Sequence, residues 1–147
     1  MVIARKCWDV LAKKTEEALQ DQQVALNAVK KRYEQLLHDQ NNLIRMMEQY
    51  QQQAQAQLQQ LRSVSDAANF SSFLNQLQVL LNRVQADLKA EELNVKRAKA
   101  KLDQAHQEHL KMTSLQEQDR NKVKAWQKKV EQKEMDSLGL TLHQIRR

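Results

Sequence analysis

Apolar residues recur along this chain in two interleaved rows, each with a step of seven residues. In the first half, one row is Ala12, Leu19, Leu26, Tyr33, Gln40, Met47, Ala54 and Leu61. The other is Trp8, Thr15, Gln22, Val29, Leu36, Leu43, Tyr50, Gln57 and Val64, and 13 of these 17 positions are apolar or aromatic. In the second half the rows are Phe70, Leu77, Val84, Glu91, Ala98, Ala105, Met112, Asp119, Trp126 and Leu74, Leu81, Leu88, Val95, Leu102, His109, Gln116, Val123, Val130. There 14 of 18 are apolar, against 41% for the chain as a whole. A 3–4 spacing of this regularity puts a continuous apolar seam on one side of a helix. The pattern predicts an all-α chain made of one long antiparallel two-helix coiled-coil hairpin: helix one over about 5–62, a bend over about 63–69, helix two over about 70–138, and a short C-terminal tail. The bend falls in "RSVSDAANF", residues 62–70. Ser, Asp and Asn there compete for backbone hydrogen bonds and favour turns and helix caps.

Folding the two arms of about 60 residues onto each other suggests a register. With Gln40 opposite Glu91, Gln22 meets His109 and Thr15 meets Gln116, so the polar breaks of the two seams coincide. A polar group set against Leu would lose solvation with nothing in return. Sizes also match, with Tyr33 on Ala98, Leu26 on Ala105 and Ala54 on Leu77. This register brings Trp126 beside Trp8 and Val123 at the open end, where the indoles close the hairpin.

Composition agrees with long helices. The 147 residues include one Gly and no Pro, where soluble domains average about 7% and 5%, so the means of making tight turns are nearly absent. Cys7 is the only cysteine. It excludes an internal disulfide and fits a reducing compartment. The first residues lack the apolar core of a signal peptide. No stretch approaches the roughly 18 apolar residues of a membrane span. The net charge of +6 favours an acidic partner.

Chemistry-bearing patterns are few. Asp103, His106 and His109 share a helical face at a spacing that could hold a metal, but the first arm offers no answering ligand cluster, and we read them as polar seam and solvated surface. There is no phosphate loop or nucleophile motif, and a two-helix seam builds no pocket. The expectation is a protein without enzymatic activity, cofactor or metal. "QYQQQAQAQLQQ", residues 49–60, holds eight Gln in twelve residues; the spacing of Tyr50, Ala54, Leu58 and Leu61 carries a helix through it with an uncharged outer face. Near the bend, Ile44, Met46, Leu58, Phe73 and Leu80 are left over once the seam is filled. They serve a wider core, self-association or a docking patch. Residues 120–133 contain six Lys or Arg against one acid, Glu131, with Arg5, Lys6, Lys13 and Lys14 on the other arm.

The stretches "NFSSFLNQLQVLLNRVQADL", "LKMTSLQEQDR" and "EQKEMDSLG", in this order and at this spacing, resemble the FliJ family, the coiled-coil stalk proteins of the bacterial flagellar type III export apparatus. The resemblance covers nearly the whole chain. It implies a hairpin similar to the stalk of rotary ATPases that binds the export ATPase hexamer, cycles export chaperones and contacts the cytosolic domain of the export gate. It also implies a cytoplasmic location, peripheral to the inner membrane at the flagellar basal body, and a part in motility and chemotaxis. Carried over by position, the gate-binding stripes fall on Leu43, Met47, Tyr50 and Ala54 and on Phe73, Leu77, Leu80 and Val84. Ala54 replaces an aromatic of the family, and Val84 a His. The resemblance implies that the open end enters the ATPase ring, through Trp8, Lys13, Lys14, Lys124, Trp126, Lys128 and Lys129. Three alternatives stay open: the equivalent stalk of a virulence secretion system, a basic coiled-coil nucleic-acid binder, and a dimerising scaffold. The expected state is a monomer or a weak self-associate, with neither nucleic acid bound nor a membrane entered.

Overall fold

The computed structural model describes residues 2–58 and 64–146, with side chains over 6–57 and 66–146. Two α-helices account for almost all of them, α1 (Val2–Leu58) and α2 (Val64–Ile145). They run 57 and 82 residues without a break, since no Pro removes an amide hydrogen or crowds the preceding turn. Neither cis peptides nor positive-φ residues occur among the described residues.

Both ends of α2 differ from expectation. Of the predicted bend, residues 64–69 are helix, and residues 59–63 lie outside the described residues. Ser65 and Asp66, two of the residues that suggested a turn, sit in the opening of α2, with Asp66 in its first turn. Such residues suit a helix start, where a carboxylate faces free amide hydrogens and the positive end of the helix dipole. At the other end the helix continues through Gly139 to Ile145 in place of ending near 138. A single interior Gly costs a helix only about 1 kcal/mol. The turns beyond it are closed by Thr141, whose hydroxyl donates to the Ser137 carbonyl at 2.8 Å, and by the Arg146 amide donating to Leu142 O at 3.1 Å.

Contacts divide the chain into two compact units, one of Met1–Asp21 with Leu102–Arg147 and one of Gln22–Lys101. Each is a pair of facing α1 and α2 stretches. The seam rows read from the pattern are the buried rows. In the unit of the chain ends, Ala12 and Ala105 are buried, with Trp8, Thr15, Leu19, Leu102, His109 and Met112 half-buried around them. In the other, Leu26, Ala54, Leu77, Leu81 and Ala98 are buried, and Val29, Tyr33, Leu36, Leu43 and Met47 flank them. Outside the seam, i to i+4 amide pairs such as Gln23–Asn27 and Gln78–Asn82 tie successive turns.

The register is one heptad away from the expected one. Thr15 meets His109, with Oγ1 and Nδ1 3.1 Å apart, and not Gln116. Gln116 instead donates to Asp9. In the second unit Gln40 lines a groove with Asn82, Gln85, Ala86, Leu88 and Lys89, short of Glu91. The physical reason is the early start of α2: moving the beginning of a helix by about two turns slides its seam along its partner by about that amount. A consequence is that Glu91 and Asp119 each keep one buried carboxylate oxygen without a hydrogen-bond partner. The polar matching of the expected register is given up for the observed packing.

Candidate functional site

In the unit of residues 22–101, aromatic residues tie α1 to α2. The Tyr50 ring lies 4.8 Å from Phe70 and 4.5 Å from Phe73, tilted by 43° and 56°. These separations and tilts bring ring edges towards faces, the arrangement the aromatic quadrupole favours. The cluster has two sides. Phe70 and Tyr50 are half-buried in the seam, while Phe73 is 39% exposed. About two turns further along α2, Val79 and Leu80 are also exposed, and they line an open groove with Ser72, Asn75 and Gln76. Met46 on α1 is exposed as well.

The two implied gate-binding stripes are therefore divided. Ala54 and Leu77 are buried between the helices, at 8% and 4% exposure, and Leu43, Met47, Tyr50 and Val84 are half-buried. Phe73 and Leu80 are the members that face outward. The leftover count identified both, together with Met46; Ile44 is half-buried, and the side chain of Leu58 lies outside the described ones.

In the unit of the chain ends, the site is electrostatic. Lys13, Lys14, Lys122, Lys124, Lys128, Lys129 and Lys133 are all exposed. Asp9 meets Arg120 at 3.9 Å, with both side chains about half exposed, a pair of little stabilising value. Thr15 donates its hydroxyl hydrogen to the Ala12 carbonyl at 2.9 Å. The same hydroxyl lies 3.1 Å from His109 Nδ1, a hydrogen bond across the seam. His109 is thus engaged across the seam, while Asp103 and His106 are exposed. Among the described residues no three potential metal ligands converge, and no helix is long and apolar enough to cross a membrane.

Trp126 departs from expectation. It is 57% exposed and makes no ring contact with Trp8, which is half-buried. Asp9 already faces Gln116 and Arg120, so α1, which begins at Val2, runs out about two turns further on. Trp126 lies at that limit, and the rest of α2 extends past it. There Met135, Leu138, Leu142 and Ile145 are 73%, 63%, 59% and 74% exposed. The sequence reading missed this stripe because it ended the helix at Gly139; the 3–4–3 spacing of these residues was the available signal.

A family model described as "Flagellar FliJ protein" matches residues 9–147. No curated protein matches the chain. Among solved structures it is similar to a protein described as a YscO homolog, CT670 from Chlamydia trachomatis. The two are 17% identical over 97% of this chain and 93% of that one, with a TM-score of 0.74. At this identity the likeness speaks for the fold.

Proposed function

The chain belongs to the flagellar FliJ protein family, and from that premise we propose that it is a non-enzymatic stalk and adaptor of type III flagellar export. It couples the export ATPase hexamer to the cytosolic domain of the export gate and escorts export chaperones between them. Its place is the cytoplasm, peripheral to the inner membrane at the flagellar basal body. The observation that carries this reading is that two chemically different surfaces occur in different units. One is apolar and aromatic, around Phe73 and Leu80. The other is basic, with exposed Lys13, Lys14, Lys124, Lys128 and Lys129 beside Trp8 and Trp126. An exposed aromatic with an exposed Leu two turns on suits a protein partner, where a few large side chains supply most of the affinity. Exposed lysines suit an acidic surface, raising association rate and specificity more than affinity.

The test is charge reversal. Lys124, Lys128 and Lys129 changed together to Glu lower affinity for the purified ATPase and its activation, and leave binding to the gate domain unchanged. If the triple variant keeps ATPase binding and loses gate binding, the assignment of the two surfaces is reversed. If it loses only salt-sensitive binding to nucleic acid, the protein is a basic nucleic-acid binder.

A further inference from the structure

The C-terminal turns of α2 carry an apolar stripe that no described residue of this chain covers. Met135, Leu138, Leu142 and Ile145 follow one another at steps of three, four and three, so they share one side of the helix. All four are more than half exposed. They lie beyond the reach of α1, and their side of the helix is turned away from the seam row of Trp126 and Lys133, by about 100° per residue. Leu140, also exposed, stands off this side of the helix; the four residues form the continuous stripe, and a continuous apolar side without a partner is an association surface.

We propose that the occupant of this stripe is a second copy of the same stripe, running antiparallel. The spacing reads the same in both directions. In an antiparallel pair about a twofold axis, Met135 meets Ile145 of the second copy and Leu138 meets its Leu142, and both contacts recur on the other side of the axis. Such self-complementarity is what a twofold interface requires of a single surface patch, and a stripe selected only for some other partner has no need of it. Charge points the same way. Glu131 and Glu134 stand at the beginning of the stripe, and Arg146 stands at its end. Antiparallel pairing brings Arg146 of one copy to Glu134 of the other. Parallel pairing sets Glu134 beside Glu134. The lysines at 122, 124, 129 and 133 remain outside the contact.

The stripe is short. Four side chains over about three helical turns bury far less than the roughly 800 Å² per partner of a standard stable interface. The pairing is therefore weak and concentration-dependent, and it opens when a partner with a larger apolar surface competes for the same side. It does not depend on the assignment of export partners, because no other component takes part.

The full chain with Cys7→Ser, which removes the exposed thiol, tests this in sedimentation equilibrium from about 10 μM to about 1 mM, the range of a weak complex. The expected average mass rises from one copy towards two. Leu138→Glu with Leu142→Glu weakens the association at least tenfold and leaves the helical circular dichroism unchanged, since both side chains are exposed. Orientation is read by thiol crosslinking. Met135→Cys mixed with Ile145→Cys crosslinks, and each alone does so much less. A constant one-copy mass overturns the proposal, and so does a dimer indifferent to the Leu138 and Leu142 changes. Crosslinking of each cysteine variant alone as readily as of the mixture indicates a parallel pair and overturns it too. A monomer throughout, with the two Leu changes weakening ATPase binding instead, assigns the stripe to the ring and leaves the export reading intact.

Discussion

Phe73 and Leu77 stand one helical turn apart on α2 and meet opposite surroundings. Phe73 is 39% exposed while its ring lies tilted 4.5 Å from that of Tyr50; Leu77 is 4% exposed between the helices. Both lie on a stripe that the family resemblance implies for the gate, yet they must answer truncation differently. Phe73→Ala is expected to weaken binding to the gate domain by about 1–3 kcal/mol, with little change in unfolding midpoint. Leu77→Ala is expected to destabilise the helix pair by about 2–4 kcal/mol through lost burial and a cavity, read as a lower midpoint in thermal or denaturant melts. Equal midpoint losses in the two variants would mean that Phe73 is core.

At the scale of the element, the start of α2 decides which residues face each other. Thr15 pairs with His109 in the unit of the chain ends, one heptad from the pairing that matches polar seam positions. Cysteines at 15 and 109, with Cys7 replaced by Ser, are expected to crosslink within one chain under a short thiol-specific reagent. Cysteines at 15 and 116 are expected to remain largely unlinked. The reverse result would restore the polar-matched register, and links only between chains would replace the hairpin by a dimer of helices. Heptad seams leave this choice delicate, because a slip of seven residues returns an apolar position to every apolar position. Here the polar breaks favour one register and the helix start sets the other, leaving Glu91 and Asp119 with unpartnered carboxylate oxygens.

At the scale of the molecule, the net charge of +6 and the division into two units give a test of independence. Substitutions at independent sites without shared partners act additively to within a few tenths of a kcal/mol. A chain carrying both Phe73→Ala and the Lys124, Lys128, Lys129 reversal is expected to show each binding defect at its single-variant size, measured with isolated gate domain and isolated ATPase. Added salt is expected to weaken the ATPase contact much more than the gate contact, because exposed charges are screened and apolar contacts are not. A gate defect that grows when the lysines are reversed would show that the two surfaces are coupled.

The sequence alone determined the helical class, the two-helix pairing and every described seam position except the exposed Gln57 and Trp126. Those follow from a local, periodic property, since the side of a helix that carries apolar residues is the side that gains by leaving water. It also marked Phe73, Leu80 and Met46 as surplus to the seam, because a two-helix contact has room for about two residues in seven. Register, the limits of α2 and the fate of Trp126 were decided only by the tertiary structure. Ser and Asp serve equally well in a turn and in the first turn of a helix, so residues 62–70 did not fix where α2 begins. The pairing of every later residue depends on that one choice. Because it shifted, α1 runs out near Trp126 and the indole is left exposed, while the longer α2 carries Met135, Leu138, Leu142 and Ile145 past the described residues of α1.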